Sequence, residues 1–127
     1  MLINAIGHDV VTPAITLLWT NSNPTSAFAA STVSLDRDGY DFLLIECLTS
    51  TTELYRTASL VLNDTGVGNQ YISCLGGNTS ASRMATIKDG GITFTTGYYV
   101  NQTDSYTLAS GSGTGYAIPY RIYGYNP

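Results

Sequence analysis

The sequence predicts an all-β fold, an antiparallel β-sandwich of jelly-roll-like topology with about seven or eight short strands. Three observations lead there. β-Branched and aromatic residues recur along the chain, with ten tyrosines among 127 residues. Clusters of Gly, Asn, Asp and Pro interrupt these runs at fairly even intervals. Almost no stretch keeps the i, i+3, i+4 apolar spacing of an amphipathic helix.

The elements follow in chain order. Val10 to Trp19 is β-branched and apolar, and Pro13 near its start suits an edge strand or the beginning of a strand. Asn21 to Ser26 reads as a loop, and an Ala-rich turn of helix capped by Thr25 or Ser26 is expected over Pro24 to Ala30. Phe28 to Leu35 resumes the strand pattern, Asp38-Gly39 turns, and Tyr40 to Leu48 is the most continuous apolar run and the expected core strand. Thr57 to Leu62, Gln70 to Leu75 and Arg83 to Ile87 are shorter strands. Asp89-Gly90-Gly91 then supplies the positive φ that a tight hairpin needs between Ala85–Lys88 and Ile92–Phe94. The segment after Gly97 and the Gly/Ser-rich stretch from Ala109 to Gly115 are expected as loops. A closing strand ends in Ile118-Pro119-Tyr120-Arg121-Ile122-Tyr123-Gly124-Tyr125, whose alternation marks a packed face and a terminus held by a sheet.

Composition bounds function by exclusion. At 127 residues, a single β-sandwich domain spanning 1–127 closes one core, with 1–11 the candidate N-terminal attachment or interface segment. Charged residues are only 11%, so Ser, Thr, Asn and Gly carry solubility. A net charge of -4 and five scattered basic residues, Arg37, Arg56, Arg83, Lys88 and Arg121, exclude nucleic acid as the expected partner. No apolar run reaches the roughly 20 residues of a membrane helix, and no basic secretory start is present. Cys47 and Cys74 lie in apolar runs outside any metal-ligand spacing, which favours two buried thiols over a disulfide between neighbouring strands. N-x-[ST] triplets at Asn63, Asn78 and Asn101 carry little weight in so Asn/Thr-rich a chain.

The segments Trp19 to Ala30, Val33-Ser34-Leu35-Asp36, Gly39-Tyr40-Asp41-Phe42, Gly91-Ile92-Thr93-Phe94 and Ile118 to Gly124 together resemble the C-terminal domains of tail fibre and baseplate proteins from tailed phages and prophages of gut Gram-positive bacteria. The motifs span most of the chain, and none encodes chemistry. The resemblance implies a virion location at the distal end of a phage tail, a homotrimer contacting other tail proteins, and host recognition through a bacterial surface polysaccharide. Such proteins usually carry a longer N-terminal attachment region than Met1 to Val11, the segment that precedes the match here.

Enzymatic readings fare worse. His8 beside Asp9 lacks a nucleophile context such as G-x-S-x-G. Asp36, Asp38 and Asp41 lack the rest of a calcium loop and have Arg37 among them, so no metal and no cofactor is expected. Glu46 and Glu53 invite comparison with paired glycosidase carboxylates, but Glu46 stands inside an apolar strand, where facing solvent or pairing with an arginine such as Arg56 or Arg121 is the simpler reading. No catalytic residue is assigned. Sugar binding has the better physical basis, because pyranose faces lie on aromatic rings while hydroxyls meet amides and carboxylates. The candidate carbohydrate-binding residues are Tyr98, Tyr99, Asn101, Gln102, Asp104 and Tyr106, expected on one loop, with Tyr116 at the end of the glycine-rich loop. The alternatives are a structural trimerising cap or decoration, whose tyrosines fill subunit contacts, and, behind both, a glycan hydrolase.

Overall fold

A computed structural model describes the backbone of Leu2–Ile3 and Asp9–Val10, together with residues 14–104 and 107–127. His8, Pro13 and Tyr106 lie outside the described residues. The two short strands β1 (Leu2–Ile3) and β2 (Asp9–Val10) pair antiparallel. Ten further strands form two antiparallel sheets packed as a sandwich, with no helix among the described residues.

The four-stranded sheet runs β3 (Ala14–Thr20), β12 (Tyr116–Asn126), β5 (Phe42–Ser50), β6 (Arg56–Leu62). The expected core strand and closing strand are therefore its two central members. Pro119 cannot donate to the ladder, and the pairing of β12 with β5 shifts register between Pro119 and Arg121. This bulge is the usual accommodation of a strand proline. The loop after β3 is tied to it, since Asn21 donates from Nδ2 to Pro119 O and from its backbone N to Tyr120 O.

The six-stranded sheet is organised on β8 (Thr79–Lys88). β7 (Asn69–Gly76) pairs with Thr79–Thr86 along one edge, through a hairpin turned at Gly77-Asn78. The other edge is forked: Ala85–Lys88 pairs with β9 (Gly91–Phe94), and Thr79–Ser82 pairs with β10 (Gly97–Gln102). β4 (Ser31–Ser34) continues the sheet beyond β9, and β11 (Leu108–Gly113) beyond β10. The β8–β9 hairpin turns at Asp89-Gly90 as expected, with positive φ at Gly90 but not at Gly91.

Three expectations need correction. Pro24 to Ala30 forms no helix; it is a single turn, with Ser26 N donating to Asn23 O, followed by extended chain. The regular strand within Phe28 to Leu35 is confined to Ser31–Ser34. The segments expected as loops from Tyr98 and from Ala109 onward are largely the paired strands β10 and β11, which is how the sandwich exceeds eight strands. Ala109, Gly111 and Gly113 leave the inner face of β11 nearly bare, and rings from neighbouring strands fill it: Tyr99 packs against the position a Gly111 Cβ would take, and Tyr116 against that of Gly113. The small residues are therefore a packing surface.

Between the sheets, Leu43, Ile45, Val61 and Ile122 meet Ile72, Ala85, Ile87, Ile92 and Phe94. Trp19 and Phe28 extend this core edge to face, with Trp19–Phe28 centroids 6.3 Å and Phe28–Phe94 centroids 6.0 Å apart. Both cysteines are free and buried. Cys74 Sγ lies 3.1 Å from Cys47 O and 3.2 Å from Tyr55 O, and contact with Cys74 together with burial pushes the Cys47 thiol up.

Arg83 faces this interior and is only 1% exposed. It stands at the fork, where β9 has ended and β10 has not begun. Its Nε donates to Ala117 O at 3.0 Å; Nη1 donates to Phe28 O and Thr95 O at 2.8 Å each; Nη2 donates to Tyr116 O at 2.8 Å and Thr114 O at 3.3 Å. Five carbonyls thus use all five N–H donors of the guanidinium. Its plane also approaches the Phe28 ring at 5.4 Å. Burial pushes its pKa down to about 10, so the group stays charged at neutral pH. The chain crosses itself tightly here: a Cβ on Gly97 would collide with the Tyr116 carbonyl.

Replacing Arg83 by Met should cost about 4 kcal/mol, because several buried carbonyls lose their donors at once. Arg83→Lys should recover only part of that loss, an ammonium having three donors and no planar fork. Urea denaturation followed by circular dichroism reads both. An aromatic disulfide reagent should find neither thiol in the native protein and both after unfolding.

Candidate functional site: the outer face of the forked sheet

Strand alternation sends Tyr71, Met84 and Tyr98 to the outer face of the six-stranded sheet, opposite the inward Ile72, Arg83 and Tyr99. Tyr71 sits directly across from Met84, and Tyr98 directly across from Ser82. The fork opens a groove between them of about 290 Å³, lined by Tyr71, Ser82, Arg83, Met84, Thr95, Thr96 and Tyr98. Thr95 bridges the fork, its N donating to Met84 O while its Oγ1 accepts from Met84 N at 3.0 Å. The groove floor is therefore fixed by the β9–β10 link, and Arg83 holds that same link from inside through Thr95 O.

Tyr71 is 63% and Tyr98 49% exposed. Their strands lie on opposite sides of β8 and their positions are offset by two residues along it, which separates the two backbone positions by about 12 Å. Around them the face carries Ser73, Ser80, Ser110 and Ser112, the hydroxyl pair Thr32–Thr93, and apolar Leu75, Val100 and Leu108. Lys88, at one corner, is the one charged side chain that alternation turns to this face among the described residues. Such a surface offers aromatic faces and neutral donors and acceptors and, away from the Lys88 corner, no charge among the described strand residues that would select an ion.

The residues expected to bind carbohydrate do not form one cluster. Tyr98 and Gln102 belong to the outer face. Tyr99 points inward and stacks on Tyr116, with centroids 4.2 Å apart and planes 23° from parallel. Asn101 also points inward, its Oδ1 accepting from Thr79 Oγ1 at 2.9 Å. Asp104 lies in the β10–β11 connection, where its Oδ1 accepts from Thr107 N at 2.8 Å. Tyr71 and Met84 were not singled out in the sequence. The signal for them is period-two alternation in Gln70 to Leu75 and Arg83 to Ile87, which places both on the face opposite the core.

The acidic candidates occupy other places. Glu46 is on the outer face of the four-stranded sheet, with Oε2 3.2 Å from Arg56 Nε and Oε1 accepting from Tyr123 OH at 3.0 Å, the arginine pairing expected of it. Glu53 belongs to the β5–β6 connection and reaches toward Gly77. Asp36 Oδ1 accepts from Asp38 N within its own turn, and among the described residues no three His, Cys, Asp or Glu side chains are grouped to hold a metal ion. Asn63 is a structural residue, donating to Arg37 O and Tyr40 O and accepting from Arg37 Nη1.

No protein-family model, curated protein or solved structure matches the chain. Tyr99→Ala should lower stability by about 2 kcal/mol through the lost stack and the space opened over Gly111, measured by urea denaturation.

Proposed function

We propose that this protein is a non-catalytic recognition domain of a phage tail tip that binds a neutral polysaccharide of a bacterial surface on the outer face of its forked sheet. The observation that carries the reading is the pairing of Tyr71 and Tyr98 across a groove floored by Met84 and rimmed by hydroxyls, on a face charged only at its Lys88 corner. Apolar sugar faces fit exposed rings, and sugar hydroxyls fit Ser and Thr. A net charge of -4 works against polyanionic cell-wall polymers and leaves neutral glycans as the favoured class. A shallow groove suits weak contacts multiplied over the copies of a virion appendage. The tail-tip assignment draws on the resemblance of the Trp19 to Ala30 and Ile118 to Gly124 segments.

The structural cap keeps one observation in its favour: the apolar outer face of the four-stranded sheet, a surface suited to assembly.

Titration with neutral cell-wall polysaccharide isolated from Gram-positive gut bacteria tests the binding reading. Tyr98→Ala and Tyr71→Ala should each weaken binding about tenfold or more, equivalent to roughly 1.4 kcal/mol or more, with the fold intact by circular dichroism. Absence of binding across a panel of such polysaccharides, or binding indifferent to both substitutions, would overturn it.

A further inference from the structure

The opposite face of the sandwich has a different character. On the outer side of the four-stranded sheet, register aligns two complete rows across all four strands: Ile15, Tyr125, Phe42 and Leu62 in one, Leu17, Tyr123, Leu44 and Leu60 in the next. Every side chain in both rows is apolar or a tyrosine. Ile15, Leu17, Leu60 and Leu62 remain 43–57% exposed. The run Phe42 to Leu48 shows the cause in sequence, being apolar on both of its alternating faces except at Glu46, a pattern found where both faces of a strand are covered. The sandwich core covers one of them. An apolar surface of this extent marks an interaction site.

We propose that this face is covered by the same face of a second copy of the chain, in a two-fold dimer with the two sheets stacked and their strands antiparallel. Charge fixes the orientation. At one end of the apolar rows stand Arg56 and Arg121 against the single Glu46. At the other end the strands run out into Asp41 and Asp64, both exposed, while Arg37 nearby is turned to Lys88 O and Asn63. A two-fold axis lying in the interface and perpendicular to the strands passes along the row of Leu17, Tyr123, Leu44 and Leu60. It lays β6 over its own copy and brings Arg56 to the partner's Asp64. An axis parallel to the strands would instead set arginine end on arginine end. About the perpendicular axis, four strands about 4.8 Å apart overlap over roughly 20 Å, nearly 400 Å² in projection. That is about half of the roughly 800 Å² per partner of a standard interface, so association is weak and is read at tens of micromolar.

Sedimentation equilibrium of the full chain at tens of micromolar should give two copies. Leu60→Glu, at an exposed position that the monomer tolerates, should weaken association at least about 100-fold by placing a charge in the apolar centre. Arg56→Asp and Asp64→Arg should each weaken it about tenfold, and the double variant should recover most of that loss. A monomeric native chain, a trimer, or a dimer that survives Leu60→Glu would overturn the proposal. None of these readouts depends on glycan binding, so the two proposals fail separately.

Discussion

Everything near the forked sheet depends on one buried cation. Arg83 gathers the carbonyls that reach the fork from other segments: where β8 changes partners from β9 to β10, those of Phe28, Thr95, Thr114, Tyr116 and Ala117 converge on its guanidinium, and of these Thr114 O also accepts from Phe28 N. Without a donor array of that shape, several buried carbonyls would be left unmet where the two sheets come together. Ala117 adopts φ +48°, the one positive φ outside glycine among the described residues. That conformation is disfavoured for an L-residue, and it persists where its own carbonyl is held by Arg83. The groove proposed to receive sugar is the outer side of the same fork, so binding surface and internal clamp share Thr95 as a common wall.

Much of the architecture was legible in the residues. The Asp89-Gly90 hairpin, the apolar run of β5 and the aromatic alternation of β12 announced themselves, because turn chemistry and period-two patterning act locally. The misread parts have a common physical origin. Glycine and serine between 109 and 115 suggested a flexible loop, yet in β11 their smallness makes room for the Tyr99 and Tyr116 rings, a contact between segments that composition does not reveal. The amide-rich stretch after Tyr98 likewise became a strand because β8 and β11 supplied pairing on both sides.

The candidate site was half visible for the same reason. Tyrosines adjacent in sequence were grouped as one surface, but once the segment is a strand, Tyr98 and Tyr99 must part to opposite faces. Arg83 shows the converse. Composition counts it only among the scattered basic residues, whereas its parity with Ala81, Ala85 and Ile87 places it inside. Reading alternation before chemistry would have found both the buried guanidinium and the partnership of Tyr71 with Met84 on the face behind it.

The partners of Arg83 have an effect on resilience. Buried arginines are commonly balanced by carboxylates, and such pairs fail in acid once the carboxylate takes up a proton. Peptide carbonyls do not titrate over that range. The one salt bridge among the described residues, Glu46 with Arg56, lies on the outer side of the other sheet, away from the fork. The fork is therefore held without a side-chain partner that acid can neutralise, and its donors stay matched in strongly acidic surroundings.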